Sequence, residues 1–523
     1  MVASNDGPVL GSSIAGGIAN GASRGTTNGI TNSMSAFHLT GNGVVYSSPF
    51  AGQGRPNDFY PINGHYPGGA MPKPSTKKKL KVIVVGGGLA GAAAAGTLSR
   101  LPDIELKVYE RADKVREAGA LIGVMVSAMR SLSRMLSPAG WEKMQTLLYR
   151  GEGYEGINHR FWRTGEIMTC ALSPHTPRYM EEGRISRQAL HDVLMQEVPE
   201  GIMHFEKHVM RVEKVSDAGG GMRLVFEDGS TEDADLVVAA DGLYSKIRRG
   251  YLPDGEVKYR GRVSYRQNVP VELVQHIKGL PNDTSSWRRN GEVVFLSMLE
   301  PGVYSFVTMA TEPEEYAKTL RWQHSMGKAG IERLLEHFKD WDPIINEVIR
   351  ALPKVEAYPL NAAPWMRDLI RDDAVAFIGD AAHPTAGAYG AGCSFAFGDV
   401  RALYLSLWRA HNMAGSITDS AYDVPYALHL YNETRRHFLH RVERQIQMDK
   451  VDQAYVAAAG DAGPENDAEW IRRYRERFTV NWWLLEHDVD ARWQEVEAME
   501  RHMYRNKNAA ADIAKAVNMV VGD

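Results

Sequence analysis

The run Gly86-Gly87-Gly88-Leu89-Ala90-Gly91 offers the first chemistry in this chain. Glycines spaced G-x-G-x-x-G bring bare backbone against a phosphate: Gly86 allows a tight turn, Gly88 admits the pyrophosphate of a dinucleotide, and Gly91 lets a helix pack closely on the preceding strand. Glu110 lies 19 residues beyond Gly91, where an acid can accept from ribose hydroxyls and repel a 2′-phosphate, so NADP is not the dinucleotide of this pocket. Two more acids stand in motifs, Asp241 in Ala239-Ala240-Asp241-Gly242-Leu243-Tyr244-Ser245-Lys246-Ile247-Arg248 and Asp380 in Phe377-Ile378-Gly379-Asp380-Ala381-Ala382-His383-Pro384. Each falls just beyond a buried apolar run, where open α/β sheets bind ligands. Asp380 can accept from a sugar-alcohol hydroxyl, and Gly387-Ala388-Tyr389-Gly390-Ala391-Gly392 leads into a helix whose free N–H groups can face an electron-rich ring edge. Taken singly, either acid also reads as a helix cap.

These residues need elements to position them. Lys81–Val85 is a β-branched run suited to a strand buried on both faces, the Ala-rich stretch 90–98 a closely packed helix, and 106–110 the next strand, which completes β-α-β in about thirty residues. Strands are also expected at 223–226, 234–240 and 374–378, with a helix through 397–408. Segments 263–269, 293–298 and 303–309 read as antiparallel strands of a separate sheet, and 425–517 as charged helices. A second cluster, Gly219-Gly220-Gly221, opens no helix and reads as a hairpin turn, which leaves one dinucleotide fold in the chain. Residues 1–79 are rich in Gly, Ser and Asn and carry no lasting apolar period, as expected of a disordered leader. It closes on Lys77-Lys78-Lys79, a solvated boundary more than a localisation signal.

Among the 523 residues, 60 Lys and Arg balance 64 Asp and Glu for a net charge of −4, which argues against a nucleic-acid binder. The two cysteines, Cys170 and Cys393, have no metal-ligand spacing and suit a reducing compartment, here the cytoplasm. No window holds about 18 consecutive apolar residues, and Met1-Val2-Ala3-Ser4-Asn5-Asp6 lacks the features of a signal peptide.

The order GGGLAG, DGLYSKIR, GDAAHP resembles the group A flavoprotein monooxygenases, FAD-dependent hydroxylases of aromatic compounds, and within them the salicylate-hydroxylase-like branch common in fungi. The likeness runs from about Lys81 to about Glu497, with support from Gly119–Gly123, Ile185–Leu190 and Trp482–Val489. It implies a Rossmann-type α/β FAD-binding fold interleaved with a mixed-sheet substrate domain: 80–160, 184–258 and 366–412 for FAD, 161–183 and 259–365 for substrate, and 413–523 as C-terminal helices. By position it implies that Glu110 holds the adenosine ribose, Gly123 and Arg187 touch FAD, Asp380 holds the ribityl or pyrophosphate region, and Gly392 and Cys393 supply backbone near the flavin. The reaction implied spends NAD(P)H and O2 through a C4a-hydroperoxyflavin to hydroxylate a small phenolic or polyketide-like aromatic, with no nucleic-acid or membrane partner. Tyr265 falls where the branch places a catalytic Tyr, and Arg248 is the candidate for a cation beside the substrate oxygen. The resemblance leaves His383 a backbone-fixing role. The chain departs from the family at Thr385-Ala386-Gly387 and Gly390-Ala391-Gly392, where a second Pro and Gly-Gln-Gly are usual, and at Cys393, where a small residue such as Ala is usual. Two alternatives stay open: a same-fold epoxidase or oxidase on a terpenoid or alkaloid, and a flavin-binding redox sensor or scaffold. A halogenase is disfavoured, since no Trp-x-Trp-x-Ile-Pro occurs.

Overall fold

The computed structural model describes residues 73–74, 76–114, 121–151, 156–171, 176–215, 221–321, 324–411, 420–459, 466–478 and 481–502, with the backbone of two short strands, His38–Thr40 and Gly43–Val45. Apart from those strands, which lie at one end of a ten-stranded sheet, the segment read as a leader lies almost wholly outside the described residues. So do the tip of the glycine cluster at 219–220 and the end of the expected helical region, 503–517.

An apolar run without alternation belongs in the middle of a parallel sheet. Leu80–Val85 forms such a strand, in a six-stranded sheet ordered Ile370–Arg371, Val375–Phe377, Leu236–Ala239, Leu80–Val85, Ile104–Tyr109 and Met203–His204. All pairings are parallel except that of the short edge strand Ile370–Arg371. Val84 pairs with Val238 on one side and Val108 on the other. The helix Leu89–Leu98 is built from Ala and Gly, so it sinks onto the sheet with nearly every residue buried. It is flanked by Gly392–Ala410, which starts five residues earlier than the sequence pattern suggests because two glycines precede its apolar face.

The second sheet has ten strands, with Ile167–Ala171, Ile157–Phe161, Thr284–Arg289, Glu292–Glu300, Val303–Thr311, Lys258–Pro270, Val355–Ala362 and His324–Met326 following in that order after the two short ones. The three strands expected here are all present and longer. One that sequence reading missed, Thr284-Ser285-Ser286-Trp287-Arg288-Arg289, carries a polar residue at every position but one, so its period of two is hidden. One face of this sheet is sealed by the helices Lys328–His337 and Pro343–Ala351, whose Leu334, Ile345, Val348 and Ile349 pack with Val263, Phe306 and Ala310. Burying each such side chain contributes about 1.5–3 kcal/mol.

Val424–Ala457, 34 residues and so roughly 51 Å long, packs along Gly392–Ala410. The Trp482–Asp490 segment is fastened to the same layer by ion pairs, Arg134 with Asp488 at 2.7 and 3.0 Å and Arg401 with Asp490 at 2.9 and 2.6 Å. Among the described residues no helix is long and apolar enough to cross a membrane.

Candidate functional site

The site begins where Leu80–Val85 ends. Gly86 takes φ +104, and a Cβ there would lie 2.4 Å from the Ala240 carbonyl oxygen, so only glycine makes this turn. At Gly91 a Cβ would lie 1.8 Å from the Gly86 carbonyl oxygen, which is the close helix-to-strand approach expected of the third glycine. Gly88 caps the helix without a side chain, and a Cβ built on it meets no protein atom within 4 Å. The turn therefore presents open backbone at a helix N-terminus, as anion binding requires. Glu110 stands beside it: Gly87 N donates to Oε2 at 2.6 Å and Ala112 N to Oε1 at 2.9 Å. Each carboxylate oxygen keeps a lone pair for a further donor. His191, which the sequence did not single out, donates from Nε2 to the Gly87 carbonyl at 2.8 Å and fixes the turn from behind.

The second wall is the Asp241 motif. Asp241 Oδ2 accepts from Lys246 N at 2.8 Å at the start of the helix Lys246–Tyr251, which Ser245 caps, while its buried Oδ1 meets no hydrogen-bond partner among the described residues. Burial raises this carboxyl despite those hydrogen bonds. Arg248 does not reach toward a substrate. It is buried, and its guanidinium donates to the carbonyls of Asp380 at 2.9 Å, Ala381 at 3.0 Å and Leu243. The expected cationic partner is thus a tie between two walls, because a guanidinium engaged by three carbonyls has little left to offer a ligand.

The third wall is the Asp380 motif. His383 is buried and meets Asp399 Oδ2 at 2.6 Å, and the same oxygen accepts from Gly379 N at 2.9 Å. Arg435 Nε donates to Asp399 Oδ1 at 2.9 Å. One buried acid thus holds the motif's backbone, its histidine and the long helix together. No sequence spacing announced it. Asp380 itself remains solvent-accessible, yet surrounding protein raises its carboxyl above the ordinary range, with His383, Arg187 and Arg248 pulling it back. Both facts hold for a side chain lining a recess. A Cβ on Gly392 would lie 3.7 Å from Asp380 Oδ1, and the Cys393 thiol lies 3.7 Å from the Gly123 carbonyl oxygen. Burial pushes that thiol up to about 11, with Arg187 pulling the other way, so it stays protonated near neutrality. Gly123, like Gly88, has no protein atom within 4 Å of a built Cβ. Arg187 opens the helix Arg187–Met195. Asp380, Gly392, Cys393, Gly123 and Arg187 are thus neighbours. A Cβ on Gly379 would lie 3.2 Å from that of Ala90, so this group adjoins the phosphate turn. A dinucleotide extended by a polyol and a flat ring suits these residues: an acid at each end, two open glycine cradles and a helix N-terminus between them.

Facing the Gly387 loop is the long sheet, where a Cβ on Gly387 would lie 3.1 Å from Met309 Cε. Met309 pairs with Ser264, so Ser264 and Arg266 share its face and Tyr265 takes the other. The structure therefore does not bring Tyr265 to the recess. Fully buried among the helices behind the sheet, its hydroxyl donates to Glu312 Oε1 at 2.7 Å, and Glu312 is ion-paired with Arg333. Burial and this carboxylate drive the phenol far above its ordinary value, the reverse of an activating phenolate. The alternation of Val263, Tyr265 and Val269 against Ser264, Arg266 and Asn268 was the signal for this, since the apolar set marks the sealed face.

The chain is similar to known proteins over most of its length. A family profile described as "FAD binding domain" matches residues 79–445. The 6-methylsalicylate 1-monooxygenase of Aspergillus terreus is 27% identical over 421 residues, covering 76% of this chain and 87% of its own. The 6-hydroxynicotinate 3-monooxygenase of Bordetella bronchiseptica is 28% identical over 384 residues, covering 70% and 90%. Among solved structures, a salicylate hydroxylase substrate complex superimposes with a TM-score of 0.63 at 20% identity, covering 80% of this chain and 98% of that one, and shares the fold.

Proposed function

Because the chain belongs to the FAD-binding-domain family, among the group A flavin aromatic hydroxylases, we propose that it is an FAD-dependent monooxygenase. It uses NAD(P)H and O2 to place one oxygen atom on a phenolic, polyketide-like aromatic substrate. The observation that carries this reading is the convergence of three separated motifs on one recess, with Glu110 and Gly88 at one end and Asp380, Gly392 and Gly123 at the other, opposite the Ser264–Met309 face of the second sheet. FAD, when bound, supplies hydride acceptance from NAD(P)H and activation of O2.

The chain's own part is positional. In this reading Gly86, Gly88 and Gly91 receive the pyrophosphate, Glu110 the adenosine ribose, Gly123, Arg187 and Asp380 the ribityl region, and the backbone of Gly392 and Cys393 the ring. Residues 80–160, 184–258 and 366–412 hold the cofactor, apart from the strand Ile157–Phe161, which belongs to the second sheet; 161–183 and 259–365 supply the substrate face, and 413–523 are the C-terminal helical region. The Asp399 contacts with Gly379 N and His383 keep the third motif in register. Closing the aromatic ring between the Gly387 loop and the sheet excludes water and holds it near the reacting position. Two free thiols suit a reducing compartment, and we place the enzyme in the cytoplasm.

The test is purification followed by turnover. The protein should carry a visible flavin spectrum, and a phenolic substrate should stimulate NAD(P)H oxidation and yield a product heavier by one oxygen. A colourless protein that takes up no FAD, or a flavoprotein that oxidises NAD(P)H without transferring oxygen to any aromatic in a broad panel, overturns it.

A further inference from the structure

Between the Asp380 motif and the helix Gly392–Ala410 the chain runs as the loop 385–391, which faces Met309 of the second sheet. Four of its residues take positive φ: Ala386 at +50, Gly387 at +80, Tyr389 at +57 and Gly390 at +64. Glycine adopts this left-handed backbone freely, whereas Ala386 and Tyr389 meet a steric penalty in it. The loop's own backbone hydrogen bonds are long and local: Ala388 N donates to the Thr385 carbonyl at 3.1 Å, Gly390 N to that of Gly387 at 3.2 Å and Ala391 N to that of Ala388 at 3.3 Å. Such a conformation persists only where something outside the loop holds it, and strained backbone gathers at functional sites.

The outside hold is made by Tyr389. Its hydroxyl donates at 2.5 Å to Asp449 Oδ2 on the helix Val424–Ala457, 60 residues further along the chain. Among the described residues this is the one side-chain hydrogen bond that joins the loop to another element. Asp449 is itself fixed, since Gln445 one turn earlier donates from Nε2 to its Oδ1 at 2.8 Å. Burial and this carboxylate push the Tyr389 phenol far above its ordinary value, so it remains a donor at any working pH. The loop leads directly into Gly392 and Cys393, and a Cβ on Gly387 would lie 3.1 Å from Met309 Cε. A displacement of Tyr389 therefore disturbs both the backbone at the helix start and the gap to the opposite sheet.

We propose that Tyr389 is a positioning residue whose bond to Asp449 holds the loop against the substrate ring and so sets how the oxygen consumed is divided between product and peroxide. This rests on the monooxygenase reading and adds what keeps its chemistry coupled. With the loop in place, NAD(P)H, a proton, O2 and the aromatic give NAD(P)+, water and the hydroxylated aromatic. One oxygen atom forms the new C–O bond, the other leaves as water, and two of the four electrons come from NAD(P)H and two from the C–H bond that breaks. With the loop displaced, water enters and the ring is no longer held at the reacting position. NAD(P)H, a proton and O2 then give NAD(P)+ and hydrogen peroxide, and the aromatic is left unchanged.

Tyr389→Phe keeps the ring and loses the donor, Asp449→Leu loses the acceptor, and Asp449→Asn keeps an acceptor oxygen. These variants are compared with wild type as FAD-loaded enzymes. The first readout is hydrogen exchange of the peptide spanning 385–395, followed by mass spectrometry without substrate. The second is the division of consumed NAD(P)H between hydroxylated product and hydrogen peroxide, with the aromatic of the panel that wild type hydroxylates fastest. Exchange should quicken about 10-fold or more in Tyr389→Phe and Asp449→Leu, the loss expected of a hydrogen bond to a charged group. Product per NAD(P)H should fall at least about threefold in both, with KM for the aromatic within about threefold of wild type and flavin content unchanged. Asp449→Asn should recover most of both losses, and the double variant Tyr389→Phe/Asp449→Leu should be no worse than either single one. A merely structural contact would lower the melting temperature and leave the division as in wild type. That result, unchanged exchange, no recovery in Asp449→Asn, or losses that add in the double variant overturns the proposal. A wild type that hydroxylates no aromatic overturns the monooxygenase reading and the division with it, while exchange still decides whether Tyr389 anchors the loop. Hydroxylation with exchange and division unchanged in every variant keeps that reading and removes this role.

Discussion

Gly88→Ala and Gly91→Ala add the same methyl group three residues apart, and the structure separates their consequences. At Gly91 the new Cβ would lie 1.8 Å from the Gly86 carbonyl oxygen, so the helix or the turn must withdraw by about 1.5 Å to restore ordinary contact. That withdrawal opens a core in which Val82, Val84, Ala92 and Ala94 are fully buried. Overpacking of side chains costs about 1–3 kcal/mol, and backbone displacement adds to it, so about 4 kcal/mol is expected, a large share of a typical total of about 5–15. At Gly88 the backbone sits at φ −69, open to any residue, and the methyl meets no protein atom within 4 Å. The entropic gain of Gly→Ala, about 0.4–1 kcal/mol, is offset by the poorer capping of alanine, so stability should change by less than about 1 kcal/mol. The methyl would, however, occupy the cradle proposed for the pyrophosphate, and a loss of about 2–4 kcal/mol in FAD binding corresponds to about 30- to 1,000-fold. Urea unfolding of flavin-stripped protein measures the first quantity, and quenching of FAD fluorescence on titration measures the second. Gly88→Ala that unfolds as early as Gly91→Ala, or that binds FAD like wild type, would refute the assignment of that open backbone to the cofactor.

Burial alone would raise Asp399, but the charges of His383 and Arg435 hold its carboxyl below the usual range. Its contribution is therefore full above the unfolded value of about 4 and is lost as pH falls through the folded value. Asp399→Leu should cost about 3–5 kcal/mol at about pH 7, since Arg435 keeps its charge in the core without its anion, and should flatten the fall of the urea midpoint below about pH 4; a slope like that of wild type would contradict this. Glu182 runs in the opposite direction: burial lifts its carboxyl to about 7 against the pull of Arg184. Its contribution is full below the unfolded value of about 4.3 and is lost as pH rises through the folded one. Glu182→Gln should thus be more stable than wild type by on the order of 2 kcal/mol at about pH 8 and nearly equal at about pH 4, as chemical unfolding at the two pH values will show. Tyr265→Phe removes a donor from Glu312, which still accepts from Arg333 Nε at 2.9 Å. The expected cost is about 1 kcal/mol in unfolding, with hydroxylation per bound flavin within about twofold of wild type; a loss of turnover near a hundredfold would return the tyrosine to the reacting site.

The glycine turn of the candidate site was legible because its requirements are local. A phosphate turn needs glycine where φ is positive or a neighbour lies too close, and Gly86 and Gly91 meet those two conditions within one turn of chain. Glu110 could be placed because it directly follows the strand Ile104–Tyr109, which lies parallel to the strand that leads into the turn. Asp399 and His191 were not legible, since each works by meeting a backbone group far away in sequence, Gly379 N or the Gly87 carbonyl. Their types and local surroundings are those of any buried polar residue on a helix. Arg248 shows the same limit from the other side: a cation in a motif tells nothing of whether its donors are already spent on carbonyls.

The substrate half turns on a single residue of parity. In a strand, adjacent side chains point to opposite faces, so a motif that marks 265 as important cannot say whether the chemistry belongs to 265 or to 266 until the buried face is known. Here the buried face is set by long-range partners, Phe306 and Ala310 on the neighbouring strand and Leu334 on a helix behind it, and these claim Val263 and Tyr265. The hydrophobic alternation within 263–269 already contained that answer, whereas positional resemblance to a family did not. What no local reading could supply is the charge balance around Arg266. Its cross-strand neighbour Glu356 comes 90 residues later in the sequence and would ordinarily be taken as its salt-bridge partner. Only the three-dimensional arrangement shows Glu356 turned to Tyr358 and Lys354, with no carboxylate at ion-pair distance from Arg266 among the described residues.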